Sequence, residues 1–340
     1  MWMAQLQTLP SAVRWSVAIS ARPAAPPVIA GDQIFVVLQS GIVAAHRVAD
    51  GTEAWRVELR TDQPVAVEGS RVFVAAGEMI HALDAASGSV VWRAPSGPVT
   101  APLIAQSGWL VVASATGLTA LRSEDGTKVW SRDTGPQRLR ATIEGDNLYA
   151  PLDEGPLLAL DLRTGAERWR RHLAGARFSE VLAFSDRVYV GSTNKQFYCF
   201  DADDGAWEWH SLLGAVLRGR PAAEGTRLFV TSIDNTLRAY DRNSGALLWH
   251  PSVPFRPTEP TVIGSAVVVP GISSAEILGF DVATGRRAGQ IKLDESLVMP
   301  PAFGTSGGVV VMTALTGSLN SQWKLVLTAP PALPPSIPLE

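Results

Sequence analysis

The hydrophobic positions of this chain fall into short runs that are separated by turn-forming residues. In the stretch from residue 221 to residue 253, two apolar segments are followed by "TLRAYD", in which apolar and polar residues alternate with a period of two. The turns on either side of it read "DN" and "RNSG", which are typical tight-turn sequences. The pattern predicts four short strands in this stretch. No segment of the chain shows helical periodicity for longer than a turn or two.

One eleven-residue phrase recurs along the chain and marks the repeat of this four-stranded unit. It reads Ala, any residue, Asp, two residues, Thr or Ser, Gly, three residues and Trp, as in "ALDLRTGAERW". Variants of the phrase end at Trp55, Trp92, Trp130, Trp169, Trp209 and Trp249, and a seventh copy has Gly289 at the tryptophan position. The copies are 37 to 40 residues apart. Such a spacing indicates an array of identical supersecondary units.

Each recurring residue of the phrase has a predicted mechanical role. The glycine permits a positive φ in the turn between the third and fourth strands. The Asp and the Thr or Ser hold that turn through hydrogen bonds, and the tryptophan spreads a flat apolar surface over the neighbouring unit. A unit that cannot bury both of its faces alone needs a neighbour on each side. The sequence therefore predicts an all-β ring of four-stranded antiparallel units, a β-propeller.

The number of blades depends on the two ends of the chain. The phrase gives seven blades, while residues 301–327 read as three strands and residues 13–19 as a lone strand that contains Trp15. Together these two segments make an eighth blade, closed by the N-terminal strand, which leaves no exposed sheet edge in the ring. The prediction is an eight-bladed propeller over residues 13–327, between an N-terminal extension (1–12) and a proline-rich tail (328–340). Seven blades with a C-terminal cap is the alternative. The predicted docking tryptophans are Trp15, Trp55, Trp92, Trp130, Trp169, Trp209 and Trp249.

Composition narrows the class of protein without identifying an activity. The formal net charge of −3 argues against general nucleic-acid binding, which requires a basic surface. Cys199 is the single cysteine, so neither an intramolecular disulfide nor a cysteine-based zinc site is expected. The N-terminus has no basic start followed by an apolar run and predicts no signal peptide in this chain. No apolar stretch approaches the roughly 20 residues of a membrane span, and a monomer is expected.

The recurring phrase closely resembles the tryptophan-docking motif of the pyrroloquinoline-quinone (PQQ)-like propellers, over about residues 13–327. That superfamily contains quinoprotein dehydrogenases, an outer-membrane assembly scaffold and sensor regions of bacterial kinases, and the bare ring is most similar to the BamB-like group. The resemblance implies a non-catalytic scaffold outside the cytoplasm that binds a protein partner or an anionic ligand. The alternative is a PQQ-binding sensor domain or a quinoprotein dehydrogenase-type enzyme.

No cofactor, metal site or catalytic residue is predicted. Dehydrogenases of the alcohol type cover the quinone with a ring formed by two adjacent cysteines, and a chain with one cysteine lacks that element. PQQ with calcium is therefore an alternative without support from a cysteine pair. The aspartates of the phrase have structural roles, and Asp153, Asn194, Asp234 and Asn235 fall in predicted turns, where such residues are expected. The histidines are scattered over different units without metal-ligand spacing.

Arginines concentrate in the loops that lead into the inner strands of blades 4 to 7. We call the loop from the outer strand of one blade to the inner strand of the next a mouth loop, because such loops encircle one end of the central channel. The mouth loops of these four blades carry Arg138, Arg140, Arg177, Arg218, Arg220 and Arg256, and Glu259 is the one predicted inner acid. These arginines either decorate an arginine-rich surface or form a basic crescent that attracts an anionic ligand or an acidic partner segment.

Overall fold

The protein is a closed ring of eight antiparallel sheets. The computed structural model describes residues 12–153, 155–172, 177–304, 308–314 and 322–329. These residues form 33 strands, and among them we find no helical segment with the length and hydropathy of a membrane span. The eight-bladed prediction is confirmed, and the seven-blade alternative is wrong. Residues 1–11 of the predicted extension and 330–340 of the predicted tail lie outside the described residues.

Blades 1 to 7 each consist of four consecutive strands, which follow one another from the channel outwards. Blade 1 contains β2 (Pro23–Ala30), β3 (Gln33–Leu38), β4 (Ile42–Arg47) and β5 (Glu53–Glu58). Blade 2 contains β6 (Ala66–Glu68), β7 (Arg71–Ala76), β8 (Met79–Asp84) and β9 (Val90–Pro95). Blade 3 contains β10 (Ile104–Gln106), β11 (Trp109–Ala113), β12 (Gly117–Arg122) and β13 (Lys128–Asp133). Blade 4 contains β14 (Thr142–Glu144), β15 (Asn147–Pro151), β16 (Leu157–Asp161) and β17 (Glu167–Arg171).

The remaining three blades of this kind follow the same order. Blade 5 contains β18 (Phe178–Phe184), β19 (Arg187–Ser192), β20 (Gln196–Asp201) and β21 (Trp207–Leu212). Blade 6 contains β22 (Ala222–Glu224), β23 (Arg227–Ser232), β24 (Thr236–Asp241) and β25 (Leu247–Trp249). Blade 7 contains β26 (Thr261–Ile263), β27 (Ala266–Pro270), β28 (Glu276–Asp281) and β29 (Arg287–Lys292).

Blade 8 joins the two ends of the chain. Its outer strand is β1 (Ala12–Ile19), which pairs antiparallel with β33 (Trp323–Ala329). Inside β33 lies β32 (Val309–Ala314), and two short segments, β30 (Ser296–Leu297) and β31 (Ala302–Phe303), share the innermost position. The sheet thus begins a few residues before the predicted boundary at residue 301 and continues two residues past residue 327.

Tryptophan docking connects neighbouring blades. In blade 3, the ring of Trp130 lies flat against Gly165 of blade 4, where a Cβ atom would come within 2.7 Å of Trp130 Cδ2. The Trp130 indole N–H donates a 2.8 Å hydrogen bond to the carbonyl oxygen of Leu162, also in blade 4. The same indole-to-carbonyl bond is made by all seven predicted docking tryptophans: Trp15, Trp55, Trp92, Trp130, Trp169, Trp209 and Trp249.

The turn that receives each tryptophan is built by local hydrogen bonds. Asp161 accepts bonds from both the backbone N–H and the hydroxyl of Thr164, each 2.9 Å long. Gly165 then adopts a φ of +70°, in the left-handed region that glycine tolerates best. Opposite the docking tryptophans of blades 1 to 6 in their own sheets lies a small residue, which for Trp209 is the buried Cys199, whereas Trp15 of blade 8 lies opposite Leu327. Burial raises the pKa of the Cys199 thiol to about 12, which leaves it protonated and unreactive.

The interface between blades 7 and 8 lacks this docking contact. Gly289 stands at the tryptophan position of blade 7 and pairs with Gly279 in the neighbouring strand. Apolar side chains close this interface instead, among them Ile277 and Ile291 of blade 7 with Leu297 and Val311 of blade 8. Backbone hydrogen bonds join the same two blades, from Ser273 N–H to the Leu297 carbonyl oxygen and from Leu297 N–H to the Ser274 carbonyl oxygen, each 2.9 Å long. Seven interfaces of the ring therefore have a docked tryptophan, and the eighth relies on apolar packing and backbone bonds.

We expect Trp15→Ala to destabilise the protein by about 3 kcal/mol, because it removes both the apolar contact on Gly51 and the indole bond to Val48. Trp207→Ala is the matched control, since Trp207 is 53% exposed on an outer strand, and it should cost less than about 1 kcal/mol. Chemical denaturation followed by circular dichroism measures both values. If both variants lose the same free energy of unfolding, the docking of Trp15 contributes no more to ring closure than an exposed tryptophan does.

Candidate functional site

The loops on one face of the ring surround one end of the central channel, and we call this side the mouth face. In each antiparallel blade, the mouth loop and the turn between the second and third strands emerge on this face. The innermost strands of neighbouring blades pack against one another around the axis. The mouth loops that lead into these strands therefore lie nearest the channel, and this face brings together side chains from several blades.

A cavity of about 350 Å³ opens among the mouth loops and inner strands of blades 4 to 7. Arg140, Glu180, Arg220 and Glu259 line it, one from each of four successive blades. A fifth charged residue, Glu224, follows at the far end of the inner strand β22. The charged lining is not basic, because its three glutamates outnumber its two arginines. Two of the six predicted arginines thus lie together beside acids, rather than in a purely positive crescent.

The expectation of a single inner acid is wrong, because Glu180 lines the same cavity as Glu259. Glu180 can be identified by its distance along the chain from the turn between the first and second strands of its blade, which we call the inner hairpin. Arg140, Glu180, Arg220 and Glu259 each stand five residues before the first residue of the turn that ends the inner strand. At the same register, blades 1 to 3 carry Pro26, Pro64 and Pro102. One half of the mouth therefore alternates in charge, and most of the other half carries proline.

Arg220 is held in place by neutral acceptors on other blades. Its Nε–H donates to the carbonyl oxygen of Val181 in blade 5 at 3.2 Å, and Nη2 donates to the hydroxyl of Thr142 in blade 4 at 2.8 Å. The side chain of blade 6 thus reaches across blade 5 to blade 4. Burial and the like charge of Arg140 lower the pKa of the Arg220 guanidinium. Burial and the like charge of Glu259 raise the pKa of Glu180.

Hydrogen bonds connect the loops of blades 5 and 6 into a continuous surface on the mouth face. The carbonyl oxygen of Lys195 accepts the N–H of Leu213, and that of Val216 accepts the N–H of Ile233. The Arg218 N–H donates to the carbonyl oxygen of Thr231 at 2.8 Å. We call residues 193–195, 212–218 and 231–235, with Arg177, the blade 5–6 platform. Because its backbone is tied at several points, its side chains are presented from a fixed frame.

The blade 5–6 platform exposes both apolar and cationic side chains. Leu212 is 70% exposed and Ile233 is 46% exposed. Arg177 and Lys195 are also exposed, and Arg218 is half-buried. The platform thus presents two large exposed apolar side chains together with exposed cations on the face that surrounds the channel end.

The two remaining predicted arginines lie elsewhere on the mouth face. Arg138 is 80% exposed and forms an ion pair with Asp153, with 3.3 Å between Nε and Oδ2. Its backbone N–H also donates to Asp153 Oδ1 at 2.9 Å, so the pair joins a mouth loop to a neighbouring turn. Arg256 is exposed in the mouth loop of blade 7. Exposed pairs of this kind contribute little to stability, typically about 0.2–1 kcal/mol.

The cavity chemistry differs from that of a calcium–quinone site. Calcium takes about six to eight oxygen ligands. Within the described residues, no group of three or more His, Cys, Asp and Glu side chains is placed to hold a metal ion. Arg140 and Arg220 bring hydrogen-bond donors and positive charge to the cavity instead. Among the described residues, the cavity therefore offers no cluster of three or more such side chains as ligands for a calcium ion.

One protein family matches most of the chain in sequence. The profile described as outer membrane protein assembly factor BamB matches residues 39–183 and 178–299. No curated protein matches the chain at a significant level.

Solved structures resemble the whole ring. BamB from Moraxella catarrhalis is 17% identical, with a TM-score of 0.74 over 94% of this chain and 97% of that one. The computationally designed Ika8 protein is 12% identical, with a TM-score of 0.78 over 92% and 98% of the two chains. Quinohemoprotein alcohol dehydrogenase from Comamonas testosteroni is 13% identical, with a TM-score of 0.67 over 96% and 78%. At such identities these likenesses show the fold alone.

We expect the Asp234–Arg238 ion pair of blade 6 to stabilise the platform turn in a pH-dependent way. Burial alone would raise the pKa of Asp234, but the Arg238 guanidinium, 2.6 Å away, and the Ser232 hydroxyl lower it to about 2. Because the folded-state pKa lies below the unfolded value of 3.8, the stabilisation is present above about pH 4 and is lost as the pH falls towards 2.

Asp234→Asn should therefore cost about 1 kcal/mol at neutral pH, a figure that allows for solvent screening. The difference from the parent protein should shrink between pH 4 and pH 2. Arg238→Gln removes the partner and should show the same trend. Urea denaturation at a series of pH values measures both, and a cost that does not vary with pH would contradict the assignment.

Proposed function

Because the chain belongs to the family of the outer membrane protein assembly factor BamB, we propose that it is a non-catalytic scaffold that binds a protein partner through its mouth face. The family's description concerns the assembly of outer membrane proteins. We therefore include a location outside the cytoplasm in this proposal. The partner segment we propose carries apolar and acidic side chains. The observation that carries the proposal is the blade 5–6 platform.

The platform offers the chemistry that such a segment needs. Leu212 and Ile233 supply exposed apolar surface, whose burial stabilises a complex by about 25 cal/mol per Å² before the costs of association. Arg177 and Lys195 supply exposed positive charge, which selects acidic partners and speeds their association. The platform is already ordered by backbone hydrogen bonds, so binding loses little loop entropy.

A non-catalytic role is supported by what the conspicuous polar residues do. The aspartates of the repeated phrase accept bonds within their own turns. Asp153 and Asp234 are paired with Arg138 and Arg238. Cys199 is buried and its pKa is raised. These groups are occupied by structural contacts, so none is poised as a nucleophile or general base.

Fluorescent peptides of alternating leucine and glutamate should bind the protein, and matched leucine–lysine peptides should not. Replacing both Leu212 and Ile233 by Ser should weaken binding roughly tenfold, because the buried apolar contact is lost. Leu247→Ser with Leu248→Ser is the matched control, since these leucines are 47% and 46% exposed on the outer strand β25, away from the mouth face. Fluorescence anisotropy across a salt series gives the affinities. Equal losses in both double variants, or equal binding of both peptides, would refute the platform as the binding surface.

The enzymatic alternative has a direct test. When PQQ and calcium are added to the purified protein, we expect neither stoichiometric binding, followed by visible absorbance, nor dye-linked alcohol oxidation. A quinoprotein alcohol dehydrogenase assayed in parallel serves as the positive control. Stoichiometric binding with turnover would overturn the non-catalytic assignment.

A further inference from the structure

Four opposite charges alternate around half of the channel mouth. Arg140, Glu180, Arg220 and Glu259 come from blades 4, 5, 6 and 7 in that order, at one register of the inner hairpin, and all four line the 350 Å³ cavity. Four successive blades thus carry a charged residue at the same position, and the sign alternates from blade to blade. Two positive and two negative side chains therefore line one cavity. We call these residues the charge quartet.

The charge quartet is not neutralised by direct contact between its members. Within the described residues, no nitrogen–oxygen distance of 4.0 Å or less joins either arginine to either glutamate. Arg220 gives two of its donor groups to the neutral oxygens of Val181 and Thr142. Those bonds fix the guanidinium and leave its charge facing the cavity. The quartet is thus a set of separated charges around open space, not a network of closed ion pairs.

The pKa shifts of the two half-buried members, Glu180 and Arg220, agree with that arrangement. Burial raises the pKa of Glu180 and lowers the pKa of Arg220. In each case a neighbour of the same sign, Glu259 or Arg140, adds to the effect of burial, and the oppositely charged members offset part of it. A bound group of opposite charge would relieve both costs.

The walls around the quartet are shaped and partly apolar. Leu182, Pro221 and Pro260 line the cavity beside the charges. Gly219 lies so close to the next mouth loop that a Cβ atom there would come within 2.7 Å of Glu259 Cβ, so this glycine allows the loops of blades 6 and 7 to meet. The cavity volume falls in the range of small-molecule sites, roughly 300–1000 Å³.

Glu224 lies at the far end of the cavity and occupies a different position in its blade from the quartet residues, at the end of the inner strand. The corresponding residues of blades 2 and 4 are Glu68 and Glu144. Each accepts a backbone N–H bond from the inner turn of the following blade, Glu68 from Gly108 and Glu144 from Ser185. Glu224 thus stands at a position whose counterparts support turns on the opposite face, and it lines the cavity at the end of β22 away from the mouth loops.

We propose that the charge quartet binds a small zwitterion, a molecule with one ammonium and one carboxylate group, such as a free amino acid or a dipeptide. The two arginines match the carboxylate, since guanidinium groups bind carboxylates bidentately. The two glutamates match the ammonium. A simple anion is repelled by the glutamates and a simple cation by the arginines, so the site selects ligands that carry both charges. The quartet would bind its ligand independently of the proposed scaffold role, because the blade 5–6 platform lies outside this cavity.

The test is isothermal titration calorimetry at neutral pH with three forms of one ligand. Leucine carries both charges, N-acetylleucine only the carboxylate and leucinamide only the ammonium. We expect leucine to bind with a dissociation constant in the millimolar range or tighter, and each singly charged form to bind at least tenfold more weakly. Equal binding of the three forms, or no binding of leucine and of the dipeptide glycylleucine, would overturn the proposal. This comparison uses the unaltered protein, so it does not depend on how any variant folds.

Variants then locate the site. Arg140→Gln and Glu259→Gln should each weaken leucine binding at least tenfold, the first by losing the carboxylate partner and the second by losing the ammonium partner. Arg256→Gln is the control, because Arg256 lies in the mouth loop of blade 7 and does not line the cavity. Thermal denaturation confirms that each variant is folded. If the two cavity variants bind leucine as tightly as the control, the quartet is not the ligand site. Loss of peptide binding at the platform with intact leucine binding would affect only the scaffold proposal.

Discussion

The structure depends on the contact between a tryptophan of one blade and a glycine-containing turn of the next. A four-stranded blade has two faces to cover, and its neighbours are the only surfaces available. The indole ring covers the turn and its N–H satisfies a backbone carbonyl there, as Trp130 does on blade 4. Because this contact lies towards the outer strands, it places no demand on the mouth loops. Those loops are free to carry charge and apolar surface without loss of the fold.

The mouth face divides into two surfaces of different chemistry. Towards the axis, blades 4 to 7 present charges of both signs around an open cavity. Farther out, loops of blades 5 and 6 present Leu212 and Ile233 beside cations. The first surface suits a small molecule with fixed charges, and the second suits an extended protein segment. Under the two proposals made above, a small ligand in the channel would lie next to a protein partner on the rim.

The fold can be predicted from the sequence because its determinants are local or join adjacent repeats. The turn at Asp161 and Gly165 is built from residues within one phrase, and the docking of Trp15 follows from the same phrase in blade 1. The cavity can be predicted only in part. The sequence identifies Arg140 and Arg220 as mouth residues but misses Glu180, because alignment on the tryptophans leaves the variable mouth loops unaligned. The hydrogen bond from Arg220 of blade 6 to Thr142 of blade 4 forms only when the blades are arranged in the ring, so it cannot be predicted from the sequence of one repeat.

The undocked interface at Gly289 gives the ring an unequal distribution of local stability. In repeat arrays, stability is close to a sum of units and nearest-neighbour interfaces, so opening begins at the weakest boundary. In this ring that boundary adjoins blade 8, the blade assembled from both ends of the chain. Blade 4 lies on the far side of the ring. Local opening at this boundary would thus leave blades 4 and 5 rigid, while Glu259 of blade 7 lies in the sector that opens. Backbone amides of blades 7 and 8 would exchange hydrogen sooner than those of blades 3 to 5.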